Sequence, residues 1–160
     1  MHPKRFALIG GILMLALGLI ALVPSLSQVN NNLPLLQVET SYGLFLGIFA
    51  MNIFNKVALI VFGVAGIAAA NAPTTNLPKS ILWARVVFFV MGIAAILGAI
   101  PQTNTLFGYW PLFGHTVAEH GVFALIGAYF GFMLPVQAER INEKNDPETK
   151  RPIHHRPVGI

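Results

Sequence analysis

The sequence predicts an all-α membrane protein with four transmembrane helices, and three observations carry that reading. Of 160 residues, 55% are hydrophobic and 10% are charged, whereas soluble domains carry about 25% charged residues. Four apolar runs, each near the roughly 20 residues a helix needs to cross a bilayer, are separated by polar links. Lysine and arginine flank alternate links. Lys4 and Arg5 stand at the head, Lys79 and Arg85 at the central turn, and Arg140, Lys144, Lys150, Arg151 and Arg156 in the tail. The links at 25–42 and 102–114 carry no basic residue. Cytoplasmic loops are enriched in Lys and Arg, so both termini are expected in the cytoplasm.

The first run, residues 6–23, follows a short basic head and closes at Pro24. A basic head before an apolar core also describes a signal peptide, but this run is long for a signal core. Residues 25–42 form a polar link with three asparagines at 30–32. The second stretch, 43–70, exceeds one span and is interrupted by Asn52, Asn55 and Lys56. The span proper is placed at 52–70. Residues 43–50 then lie at the membrane surface or fold back on the bundle. A turn at 71–80 holds Pro73 and Pro78. The third span, 81–100, closes on Pro101, and the fourth covers 116–136. Trp83 falls at the predicted inner interface, and Tyr42, Tyr109 and Trp110 at the outer one, where aromatic belts favour them. Residues 1–136 thus form one four-span bundle, and 137–160 a cytoplasmic polar tail. That tail has too little apolar surface to order itself alone and suits docking on a partner.

The halves 6–70 and 81–136 read as copies. ALGLIALVP and AAILGAIP close the first and third runs. YGLFLGIFAMNIFNKVALIVFG aligns without a gap on LFGYWPLFGHTVAEHGVFALIG. This register pairs Met51 with His115, Asn55 with Glu119, Lys56 with His120, and Gly63 with Gly127. Chance explains shared leucines well and polar pairs at equal depth poorly. Repeated two-span units come out parallel, related by an axis along the membrane normal.

The glycine- and phenylalanine-rich segment, the polar pair and the glycine-bearing apolar helix, occurring twice, resemble an uncharacterised family of small bacterial four-helix membrane proteins. The resemblance covers residues 6–135. It implies histidine at the second position of each polar pair. His120 fits and Lys56 departs. It implies a bacterial cytoplasmic, photosynthetic or respiratory membrane, carries over no established activity, and leaves function open.

Ionisable groups inside a span cost roughly 2.5–3.5 kcal/mol each at the centre on insertion scales, so they face the interior, water or a partner. The candidate polar cluster is Lys56, Glu119, His120, His115 and Asn55, with Lys56 expected near Glu119 or His120 across the repeat axis. His115 and His120 are five residues apart, and a shared helix face needs three or four, so no metal site is expected. No cofactor is expected either, a single chlorin or quinone contact at His120 being the alternative. Gly43, Gly47, Gly66, Gly127 and Gly131 supply small-residue spacings that let helices approach closely in lipid. There is no cysteine, hence no disulfide or thiolate site. Nucleophile elbow, phosphate loop and metalloprotease motifs are absent, so an enzyme is not expected. No basic–aromatic stripe suggests nucleic acid. The function expected is a non-catalytic accessory or structural subunit beside other membrane proteins, or a homo-oligomer. The alternative is a small binding or transport protein built on the Lys56–Glu119–His120 cluster.

Overall fold

The computed structural model describes residues 2–30 and 32–137. Four helices dominate: α1 (Pro3–Ala21), α2 (Ile53–Asn71), α3 (Asn76–Ala99) and α4 (His115–Ala128), the last continuing to Gln137. All four are long and apolar enough to cross a membrane. Leu125, Ile96 and Leu82 point outward and are 73%, 63% and 59% exposed, as a lipid-facing surface requires.

Prolines and caps set the helix ends. Pro3 opens α1, where its missing N–H is no loss, and Pro24 follows its end. Asn52 caps α2: its Oδ1 accepts from the Phe54 N–H at 3.1 Å, while its own N–H donates to Asn55 Oδ1 at 3.1 Å. Such reciprocal caps satisfy donors that a helix start leaves orphaned. Pro101 follows α3, and Gly114, at φ 68°, turns the chain into α4.

Pro135 lies inside the fourth span. It has no N–H to give the carbonyl four residues back, that of Gly131. The helix widens to a π-turn over Tyr129–Met133. The Gly131 oxygen instead accepts from Arg85 Nε at 2.9 Å, and the Arg85 guanidinium lies 5.1 Å from the Phe132 ring centroid.

α1 packs on α2 and α3 on α4 through glycine seams. A Cβ on Gly11 would stand 2.7 Å from the Ile67 nitrogen, and one on Gly63 would strike Leu15. On the other hairpin, a Cβ on Gly127 would stand 2.8 Å from the Ala84 oxygen and 2.9 Å from the Phe88 nitrogen. Gly131 closes the same seam against Arg85. Trp83 joins the hairpins. It is 5% exposed, donates from Nε1 to the Phe62 oxygen at 3.1 Å and tilts against Phe6, which stacks on Phe130. Trp83 is therefore a core wedge, where an interfacial belt residue was expected.

The all-α expectation needs one correction. A three-stranded antiparallel sheet caps one end of the bundle: β1 (Ser27–Gln28), β2 (Gly43–Phe45) and β3 (Phe49–Met51), in the order β1-β2-β3. Ser27 pairs with Phe45, and Leu44 with Ala50. The segment 43–50 is thus a hairpin that buries Phe45 with Ala21 and Met51. Gly43 and Gly47 serve this sheet and no helix seam. Gly43 lets β1 approach, since a Cβ there would stand 2.7 Å from the Gln28 oxygen. Gly47 supplies the left-handed turn at φ 73°.

Candidate functional site

The polar starts of α2 and α4 lie at this capped end and are used differently. On α2, Asn52 Nδ2 donates to the Tyr109 oxygen at 2.8 Å and the Val38 oxygen at 3.1 Å. Asn55 Nδ2 reaches the Pro111 oxygen at 3.4 Å. The Gly108 oxygen accepts from the Gln37 N–H at 2.7 Å. These bonds lace the link before α2 to the link before α4. Asn55 is therefore a structural residue of the cap as well as part of the cavity wall described below.

Lys56 is inaccessible to solvent. Its Nζ donates to Ser41 Oγ at 2.7 Å and Ser27 Oγ at 3.2 Å, holding the first link down on α2. The Lys56–Glu119 pairing expected from the sequence is not formed. Lysine has three donors on a long stem, and the hydroxyls of its own half lie closer to hand than the carboxylate of the other.

On α4, Thr116, Glu119 and His120 stand at positions i, i+3 and i+4, which share one helix face. They line a partly open cavity of about 80 Å³ together with Asn55, walled otherwise by side chains that are mostly apolar, such as Leu59, Phe62 and Phe123. Thr116 Oγ1, Glu119 Oε2 and His120 Nδ1 are buried there with no hydrogen-bond partner among the described residues. Thr116 is the residue the sequence reading misses, and the i, i+3, i+4 spacing was the available signal. His115, by contrast, is turned away from His120. It lines a more open groove of about 390 Å³ with Ile48 and Phe49 of the cap. Glu119 and Phe123 border both spaces, so they form the wall between groove and cavity.

Gly66, Gly127 and Gly131 stand close against helices of the same chain. A Cβ on Gly66 would stand 2.8 Å from the Ala7 oxygen. Among the described residues, no group of three or more His, Cys, Asp or Glu side chains is placed to hold a metal ion. The tail segment 138–160, with His154 and His155, lies outside the described residues.

Fold and site together define a mostly helical chain whose four span-length helices surround a small, largely apolar cavity with a few polar groups, beneath a β cap. Its sequence from residue 4 to 133 matches DUF4383, a domain of unknown function, and the chain belongs to that family. Comparison with curated proteins and with solved structures gives no match.

Proposed function

We propose that this chain is a non-catalytic integral membrane protein that binds a small polar or cationic ligand in the α4 cavity, reached through the groove at His115. The observation that carries the reading is the set of three buried atoms, Thr116 Oγ1, Glu119 Oε2 and His120 Nδ1, on residues that line one cavity, each without a partner among the described residues. Each unsatisfied group costs several kcal/mol in an apolar medium, and a ligand offering complementary groups recovers that cost. A cavity of about 80 Å³ is small beside the roughly 300–1,000 Å³ of drug-sized ligand sites. It favours an ion or a few-atom ligand over a chlorin or quinone ring.

The accessory-subunit role has less support. The glycines that would have offered a partner surface face helices of their own chain, and the tail that would dock lies outside the described residues.

The same reading makes the two hairpins parallel repeats with the capped end outside and both termini cytoplasmic. Support comes from the basic residues, which are absent from both links at the capped end, and from the seams. Gly63 and Ile67 meet Leu15 and Gly11, and their register mates Gly127 and Gly131 meet Phe88 and Arg85 in the same order. Reporter fusions after Ser80 and Gln137 should read cytoplasmic, and one at Asn32 external.

Cysteine chemistry tests the cavity cleanly because the chain has no cysteine. Glu119→Cys and His120→Cys should react with a small water-soluble thiol reagent added from the capped side, more slowly than His115→Cys. If His115→Cys reacts and the other two stay inert, the cavity is sealed from the groove and the binding reading fails.

A further inference from the structure

Methionine is concentrated where the polar atoms converge. The chain has five methionines, and Met14, Met51 and Met91 all line the cavity that holds His120 and Glu119. The four sulfur and nitrogen side chains come from four different elements: Met14 from α1, Met51 from β3, Met91 from α3 and His120 from α4. The three methionines are 0%, 4% and 9% exposed.

We infer that the cavity is a binding site for a soft monovalent metal ion of the Cu(I) class, held by the thioethers of Met14, Met51 and Met91 and by His120 Nδ1, with the Glu119 carboxylate as counter-charge. The inference rests on the proposed ligand-binding role and names the ligand. Three properties of the cavity support it.

Donor chemistry is the first. Thioethers select Cu(I) among first-row ions, imidazole suits copper, and magnesium or calcium would need several oxygen donors. A cavity with three thioethers, one imidazole and one carboxylate matches the soft ion and mismatches the hard ones.

Charge is the second. A cation inside a span must be compensated. Lys56, the basic residue buried at this end of the bundle, is tied to Ser41 and Ser27 and is no part of the cavity wall. One carboxylate and one monovalent cation sum to zero, whereas a divalent ion would leave a buried net charge.

Space is the third. Methionine in a core ordinarily fills irregular gaps, because three rotatable bonds let it adapt. Here three methionines surround about 80 Å³ that they leave unfilled. The same flexibility lets the thioethers swing onto an ion.

The experiment is a metal titration of the full chain in detergent micelles. It uses Ag(I) as a redox-stable probe and Cu(I) under reducing conditions against a chromophoric Cu(I) chelator. One equivalent should bind, and X-ray absorption of the copper form should show mixed sulfur and nitrogen ligation. Met14→Leu, Met51→Leu and Met91→Leu conserve volume and are tolerated in cores. Each should weaken binding at least about tenfold, the lower end of what even outer-shell changes do to metal affinity. The triple variant should lose the site while melting at a temperature close to wild type. Metal that stays bound in the triple variant is held elsewhere, for instance by histidines outside the cavity, and binding equal to wild type overturns the inference. So does a wild-type chain that retains no Ag(I) after desalting. If Ag(I) fails while Glu119→Cys and His120→Cys still react with the thiol reagent, the cavity reading stands and the soft-metal assignment falls. If both experiments fail, both readings fall.

Discussion

The beginnings of α2 and α4 occupy matching places in the two halves, and their polar side chains are in opposite condition. On α2, Asn52 caps its helix and bridges two links, Asn55 does the same more weakly, and Lys56 fastens the first link through two serines. On α4 the register mates Thr116, Glu119 and His120 each bury a polar atom without a partner among the described residues. One start has been built into the architecture, and its mate has been left free to meet something else. Repeated units let a chain divide labour in this way, because the seams that fix the fold are kept in both copies while the polar positions diverge.

The largest effect should come from the seams, and it should be equal in the two halves. Gly63→Leu and Gly127→Leu both push a side chain into facing backbone, and each should destabilise by ~3 kcal/mol or prevent folding, as strong overpacking does. Gly121→Ala has open space and no such contact, so it serves as the control that leaves thermal melting unchanged or slightly higher. Unequal losses at Gly63 and Gly127 would break the view that the hairpins share one packing plan.

Next come the matched positions at the helix starts. Asn52→Ala should cost about 2 kcal/mol, from a lost N-cap and two lost buried hydrogen bonds. Thr116→Val keeps the shape and removes an orphan hydroxyl, so it should stabilise the unliganded chain by about 1 kcal/mol. Chemical denaturation in mixed micelles reads both signs.

The smallest effect is confined to the cap. Tyr42 donates to the Pro34 oxygen at 2.9 Å. Burial, with the Glu39 carboxylate adding to it, pushes its phenol up to about 12 from an ordinary 10.0. A raised pKa means the folded cap favours the neutral phenol. Its contribution is fully present below the unfolded value and is lost as pH rises through about 12. Ultraviolet difference titration should place this tyrosine above an ordinary phenol, and Glu39→Gln should lower its midpoint.

Much of the architecture was legible because lipid imposes it. Unbroken apolar runs, closing prolines and alternating basic flanks placed all four helices within a few residues of their ends. Gly66, Gly127 and Gly131 declared the seams through their spacing. The sheet was hidden because residues 43–51 are apolar and glycine-rich, a composition that suits a surface helix as well as a short hairpin. The π-turn required noticing that Pro135 strips a partner from the Gly131 carbonyl. Lys56 misled because its depth suggested an ion pair, while its reach depended on how Ser27 and Ser41 fold over it. Glu119 and His120 were visible as intramembrane polar residues. The methionines around them were not, since Met14, Met51 and Met91 are far apart in sequence and converge only through the fold.

The claim that α4 carries a ligand site where α2 carries architecture is tested most directly by one pair of thermal melts at register mates. Asn55→Leu removes bonds to the Asn52 N–H and the Pro111 oxygen and should lower the melting temperature in detergent. Glu119→Leu removes a half-buried side chain whose Oε2 is buried without a partner among the described residues, at the wall of a largely apolar cavity, and should raise it. If Glu119→Leu instead lowers the melting temperature as far as Asn55→Leu does, Glu119 holds the fold together like its mate, and the division of labour between the two halves is wrong.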